Sequence, residues 1–120
     1  MHYTRVYADE RGESCFEVVE WATETRQAAE SDLVARISAA FDVRGAYLRE
    51  PLTEASPVPH NAPSPLFIVM LRGRCSIEVS TGETREFGPG EIVLVEDTTG
   101  KGHTTRRVGD EQRLTLMLPV

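Results

Sequence analysis

The sequence predicts a single all-β domain, a barrel or sandwich of about nine short strands with at most one short helix. Two observations lead to this expectation. Short segments that are apolar or alternate between polar and apolar residues recur along the 120 residues, and turn-forming pairs such as Arg72-Gly73 and Gly109-Asp110 separate them. A length of 120 residues suits a single domain with one core, so we expect residues 1–120 to form one domain. No internal repeat or low-complexity tract is present.

The composition is typical of a soluble globular protein and argues against two classes of partner. The net charge is −6, and 40% of the residues are hydrophobic. The acidic balance disfavours nucleic acids and anionic membrane surfaces, and no segment reaches the roughly 18 apolar residues of a membrane span. The N-terminal segment carries charges where a secretory signal needs an apolar stretch. We therefore expect a cytoplasmic protein in which Cys15 and Cys75 are free thiols.

Three strands are expected in the first fifty residues. Residues 2–8 and 14–22 are rich in aromatic and β-branched residues, and a glycine turn at residues 11–13 separates them. Residues 43–50 return to strand character, with Tyr47 and Arg49 on one face.

The segment between these strands, residues 23–40, gives the weakest signal. Leu33, Ile37 and Ala40 fall at helical spacing after a Ser-Asp pair that could cap a helix. This pattern favours a short helix, and an ordered loop is the alternative.

A proline-rich loop at residues 51–65 leads into the C-terminal strands. The segments on either side are too short to be separate domains, so a rigid loop at the mouth of a barrel fits better than a linker. Beyond the loop, residues 67–71 are apolar on both faces, whereas residues 74–80 and 113–118 alternate. These segments are predicted strands.

The stretch of residues 82–107 organises the chain. A Pro89-Gly90 turn starts an apolar strand, the strand ends at Glu96-Asp97, and His103 opens the next strand after a glycine-containing loop. Such an arrangement aims one imidazole into the mouth of a small barrel.

This stretch resembles the second signature of the cupin family, in which a glycine and a Pro-Gly-acidic turn precede a strand and then a histidine. The matching residues are Gly82, Pro89, Gly90, Glu91 and His103, at slightly longer spacings than usual. The resemblance implies a cupin-type double-stranded β-helix, or jelly-roll barrel, with its core at about residues 43–118 and additional strands at residues 2–22. It also implies a homodimer, because cupins usually pair through their sheets.

The first cupin signature, which carries two histidines and a glutamate, is degenerate in this chain. His60 takes the first histidine position, whereas Ala62 and Leu66 take the places of the second histidine and the glutamate. A divalent metal needs three or four ligands, and the resemblance offers only His60 and His103. The carboxylates that could complete a metal site are Glu91, Glu96 and Asp97. We therefore expect that no cofactor is required, with a bound divalent metal as the alternative.

Without a metal, a histidine in the pocket can still transfer protons, because an imidazole titrates near neutral pH. We expect His103 to be the central catalytic residue, His60 to be its partner across the mouth, and Glu96 or Asp97 to orient it. A solvated strand end is the alternative for the two carboxylates. Period-two alternation places Thr105 and Arg107 on the same face as His103. The residues expected to contact a substrate are Tyr47, Arg49, Leu66, Thr105 and Arg107.

These expectations favour a small-molecule enzyme of the isomerase, cyclase or lyase type, working in a mostly apolar pocket. The alternative is a non-catalytic cupin that binds or senses a small ligand, which the apolar residues at the two lost ligand positions favour. A metal-dependent oxygenase is the third candidate.

Overall fold

A computed structural model describes residues 1–120, and its eleven strands confirm the all-β class. The strands are β1 (His2–Ala8), β2 (Ser14–Glu20), β3 (Thr23–Gln27), β4 (Val34–Ser38), β5 (Tyr47–Arg49), β6 (Leu66–Arg72), β7 (Arg74–Val79), β8 (Thr84–Phe87), β9 (Ile92–Val95), β10 (His103–Val108) and β11 (Leu114–Pro119). The structure has no helix that is long and apolar enough to cross a membrane.

Two sheets form the body of the molecule as a sandwich of jelly-roll type. The larger sheet has the order β2-β1-β9-β6-β11-β5, and the smaller has the order β10-β7-β8. After the proline-rich loop the chain passes back and forth between them, so that β6, β9 and β11 lie in the larger sheet and β7, β8 and β10 in the smaller one. Strand β1 pairs in parallel with β9, which makes the N-terminal hairpin part of the larger sheet.

The core lies between the two sheets and follows the predicted alternation. Along β7, Cys75, Ile77 and Val79 are buried, and the residues between them are partly exposed. From the larger sheet, Met70 and Val93 meet them in the same hydrophobic cluster. Because side chains on a strand alternate between its two faces, each strand contributes every second residue to this core.

The prediction of a short helix within residues 23–40 is wrong, because this segment forms an antiparallel hairpin of β3 and β4. Its turn explains the error. The Ser31 hydroxyl accepts a hydrogen bond from the Leu33 amide at 3.1 Å, and the Ala28 amide donates to the Leu33 carbonyl at 2.8 Å. A serine that bonds to the backbone in this way stabilises a turn as readily as it caps a helix.

The strand expected at residues 43–50 is shorter than predicted and covers only Tyr47–Arg49. It forms the outer edge of the larger sheet, where it pairs with β11 alone.

Candidate functional site

A cavity of about 750 Å³ lies between the two sheets, and residues of the proline-rich loop form part of its wall. Side chains from both sheets line it, and the apolar ones come mainly from the core strands. Those of the larger sheet are Leu66, Ile68, Met70, Val93, Val95 and Met117. Polar side chains form the rest of the wall and include His60, His103 and Thr105. A concave cavity that combines apolar walls with convergent polar groups is typical of a small-molecule site.

The central polar feature is a hydrogen bond between His103 and Asp97. His103 Nδ1 lies 2.6 Å from Asp97 Oδ2, and the two residues are 5% and 0% exposed. Since a carboxylate can only accept hydrogen bonds, a neutral imidazole bonded to it carries its proton on Nδ1 and its lone pair on Nε2. Nε2 makes no hydrogen bond with the protein, and His103 lines the cavity, so this nitrogen is the one that can meet a ligand.

His60 lies directly beside His103 at the exposed side of the cavity. The two ring centroids are 4.6 Å apart, with the ring planes at 56°. Their backbones form an isolated β-bridge, in which each amide donates to the other residue's carbonyl at 2.9 Å. The structure therefore places the two predicted histidines together, one buried and one at the mouth.

Glycine at position 102 allows the two histidine segments to approach this closely. Gly102 has a positive φ of 73°, and a Cβ atom there would collide with the His60 carbonyl. The neighbouring Asn61 side chain donates to the carbonyls of Asp97 and Gly100 at 3.2 and 3.1 Å. The segment that carries His60 and Asn61 is thus tied to the loop that ends at His103.

A second set of contacts ties this loop to the N-terminal hairpin, and sequence reasoning missed it. The fully buried Ser14 hydroxyl donates to the Gly102 carbonyl and accepts from the Ser80 amide, both at 2.7 Å. The Lys101 ammonium pairs with the Glu13 carboxylate, which also accepts from the Ser80 hydroxyl at 2.6 Å. These bonds join residues 66 to 88 positions apart, so no local sequence pattern could indicate them.

Four of the five residues expected to contact a substrate line the cavity, namely Arg49, Leu66, Thr105 and Arg107. The position expected for Tyr47 is wrong. Its side chain is half exposed and lies outside the cavity wall. Tyr47 is the first residue of β5, a three-residue strand at the edge of the larger sheet.

The position expected for Glu96 beside His103 is also wrong. The Glu96 side chain bonds to the Arg5 guanidinium on the outer side of the larger sheet. Val95 points into the core, so its neighbour Glu96 points outward. Asp97 is therefore the carboxylate that reaches the imidazole.

The donor atoms at the site do not form a complete metal-binding set. No group of three or more His, Cys, Asp or Glu side chains is arranged to hold a metal ion. Ala62 and Leu66, which the sequence resemblance aligned with two ligand positions, are buried and have no side-chain donor atom, and His103 Nδ1 is already bonded to Asp97. The third candidate function, a metal-dependent oxygenase, would need at least one donor besides His60 and His103.

The cavity wall also contains Cys75, which is 5% exposed. Burial raises the pKa of this thiol, because a thiolate would lose its hydration there. Cys75 is therefore a neutral thiol at neutral pH and packs as an apolar group. Cys15 is also a free thiol, and burial is again the main cause that raises its pKa.

Comparisons with known proteins give no assignment. No protein-family model matches the chain, and no curated protein matches it. Among solved structures, the chain is similar to the crystal structure of protein NMB1881 from Neisseria meningitidis. The two are 16% identical over 83% of this chain and 84% of that one, with a TM-score of 0.48.

Proposed function

We propose that the cavity is the active site of a small-molecule enzyme of the isomerase, cyclase or lyase type, in which His103 transfers the proton. The observation that supports this proposal is the buried 2.6 Å hydrogen bond between Asp97 and His103. It orients the ring and leaves Nε2 as the basic nitrogen towards the cavity. A histidine with one ring nitrogen hydrogen-bonded to a carboxylate is a recurrent arrangement for general acid and base catalysis.

In the proposed reaction, His103 Nε2 removes a proton from a carbon next to a carbonyl group. The imidazolium that forms keeps its Nδ1–H bond to Asp97, and the negative charge of the carboxylate stabilises it. The same proton is then returned to a different atom in an isomerisation, or to the leaving group in an elimination. Thr105 lies on the same face of β10 and presents a hydroxyl group that can donate to the enolate oxygen.

The apolar walls support this chemistry in two ways. They bind the hydrocarbon part of a substrate, and they exclude water from the proton that is transferred. His60 is close enough to His103 to act as the second acid or base, on the exposed side of the reacting group.

A non-catalytic protein that binds or senses a small ligand is the second candidate. The observation that favours it is the pair of buried apolar side chains, Ala62 and Leu66, at positions where the cupin signature has catalytic metal ligands. In that case the dyad would only hydrogen-bond a ligand.

The proposal extends to the family, the oligomeric state and the location of the protein. The resemblance in the His103 segment and the jelly-roll type of fold support membership of the cupin family and, with it, a homodimer. The acidic charge supports a cytoplasmic protein that does not bind nucleic acids or membranes. Light scattering coupled to size-exclusion chromatography would test the dimer.

Proton exchange tests the proposed activity before the natural substrate is known. The purified protein would be incubated in D₂O with a panel of 2-oxo and 3-oxo acids and their esters, and loss of the α-proton would be followed by NMR. For any compound exchanged by the wild-type protein, we expect His103→Ala to lower the rate by about 10²–10⁴. Asp97→Asn should also lower it, because the amide would favour the wrong imidazole tautomer.

His2→Ala is the matched control, since His2 is an exposed histidine outside the cavity. We expect its exchange rate to equal that of the wild type. If His103→Ala retained the wild-type rate while folding normally, the proposed role of His103 would be refuted. If compounds bound tightly but exchanged no proton, the non-catalytic alternative would be favoured.

A further inference from the structure

The cavity is positively charged at one end, although the protein as a whole is acidic. Among its lining residues are three arginines, Arg49, Arg107 and Arg113, against one carboxylate, Glu54. The chain carries a net charge of −6. A cationic lining within an acidic protein concentrates the positive potential in the cavity and favours anionic ligands there.

On the smaller sheet, the strand register places Arg107 at the end of the cavity that is remote from His103. In the pairing of β10 with β7, His103 lies opposite Val79, whereas Arg107 lies opposite Cys75. Four residues of extended strand separate the two positions, which corresponds to ~13 Å between their Cα atoms.

On the larger sheet, Arg49 lies at the same end. Arg49 pairs with Thr115, and Thr115 pairs with Met70 near the turn that leads into Cys75. Leu66 is at the opposite end of β6 and pairs with Val95, two residues before Asp97.

Arg113 belongs to this end as well. A Cβ atom on Gly73 would lie 2.8 Å from the Cα of Arg113, so the turn between β6 and β7 packs directly on it. Its positive charge also acts on the Cys75 thiol, where it opposes the effect of burial on the pKa. The Gln112 side chain bonds to the Pro51 carbonyl, which joins the segments that carry Arg113 and Arg49.

Two of these three guanidinium groups have no partner in the protein. Arg107 bonds to Glu54 at 3.5 Å and to the Gly109 carbonyl at 2.8 Å. The side chains of Arg49 and Arg113 make no hydrogen bond or ion pair. The acidic residues next to them in sequence are already engaged, Glu50 with Arg72 at 2.9 Å and Glu111 with the Gly73 amide at 3.0 Å.

We propose that Arg113 and Arg49 bind a carboxylate group of the substrate, so that the cavity accepts a small amphipathic carboxylic acid whose reactive carbon lies at His103. This inference rests on the proposed function for the reactive end, whereas the carboxylate site can be tested by binding alone. The planar guanidinium fork matches a carboxylate in two parallel hydrogen bonds. The apolar wall between the two ends suits a hydrocarbon chain, and no helix N-terminus, a common phosphate-binding element, is present.

Matched acids and amides test the carboxylate site. Hexanoate with hexanamide, and 4-phenylbutanoate with 4-phenylbutanamide, would be titrated into the protein and followed by ¹H–¹⁵N NMR, including the arginine Nε–H signals. We expect each acid to bind about 10- to 100-fold more tightly than its amide, because hydrogen bonds to charged groups are the stronger ones. Arg113→Gln should abolish this preference, and Arg49→Gln should reduce it.

Arg106→Gln is the matched control, because Arg106 is on the same strand as Arg107 but on its exposed face, paired with Glu78. We expect it to retain the full preference for the acid. His103→Ala should also retain it, so that loss of turnover in that variant is separated from loss of carboxylate binding.

Three results would overturn the proposal. The first is a wild-type protein that binds none of the acids, or binds acid and amide equally. The second is an unchanged preference in a folded Arg113→Gln variant; if that variant did not fold, an unchanged preference in Arg49→Gln would count in the same way. The third is tighter binding of phenyl phosphate than of phenylacetate, which would assign the site to phosphates.

Discussion

Replacing Ser14 by alanine should destabilise the whole protein and loosen the loop before His103, although Ser14 lies outside the cavity wall. Ser14 is fully buried, and its hydroxyl bonds to the Gly102 carbonyl and to the Ser80 amide. The alanine variant leaves both backbone groups without that partner. The Gly102 carbonyl is buried, so leaving it unsatisfied costs about 1–3 kcal/mol.

The Ser80 amide is only partly buried, so water can replace some of its bond and its loss costs about 0.5–1.5 kcal/mol. Together these effects predict a loss of about 2–4 kcal/mol in the free energy of unfolding. With an unfolding entropy of about 2.1 cal/mol/K per residue over a chain of this length, each kcal/mol lowers Tm by about 4 °C. The expected decrease in Tm is therefore about 8–16 °C.

Differential scanning calorimetry would measure this decrease, and native-state hydrogen exchange would show whether the His103 amide opens more often. Ser76→Ala is the matched control, because Ser76 is on the neighbouring strand, is partly exposed and makes no side-chain hydrogen bond. It should change the free energy of unfolding by no more than about 0.5 kcal/mol. If the two variants had the same Tm, the buried serine would not hold the loop and the reasoning would be refuted.

Three further predictions concern the core and the titratable groups. Met70→Ala should cost about 2–5 kcal/mol in urea unfolding, since Met70 is fully buried, whereas Leu71→Ala at the exposed neighbour should cost far less. Burial raises the pKa of Cys75, so the folded state keeps the thiol proton to higher pH than the unfolded state. The contribution of Cys75 to the free energy of unfolding should therefore be fully present below about pH 8 and fall above it, and Cys75→Ala should show a shallower alkaline slope. The Lys101 and Ser80 hydrogen bonds lower the pKa of Glu13, so its stabilising contribution is present above about pH 4 and is lost as the pH falls through the lowered pKa. Acid titration of Glu13→Gln, monitored by circular dichroism, should lack this component, and an unchanged acid transition would contradict it.

Local patterns were sufficient to predict most of the strands and the approximate place of His103. The alternation of Cys75, Ile77 and Val79 predicted which face of β7 is buried, because the geometry of a strand alternates its side chains regardless of what packs against it. The Pro89-Gly90 turn likewise starts β9 where expected, because proline and glycine act on their own backbone angles. The same local reasoning failed for residues 23–40, where spacing compatible with a helix also occurs in the β3–β4 hairpin.

The amino-acid sequence by itself therefore determined the all-β class and the buried faces of the core strands, and the resemblance of its motifs led to the expectation that His60 lies near His103. Only the tertiary structure decided that Asp97 rather than Glu96 reaches the imidazole, that Tyr47 lies outside the cavity, and that Ser14 supports the loop. It also brought Arg113 to the cavity, a residue without any motif of its own. The physical reason is the sequence separation over which each kind of interaction acts. Turn chemistry and strand alternation act over a few residues, whereas hydrogen bonds between residues 88 positions apart and the charge of a cavity depend on how the two sheets pack.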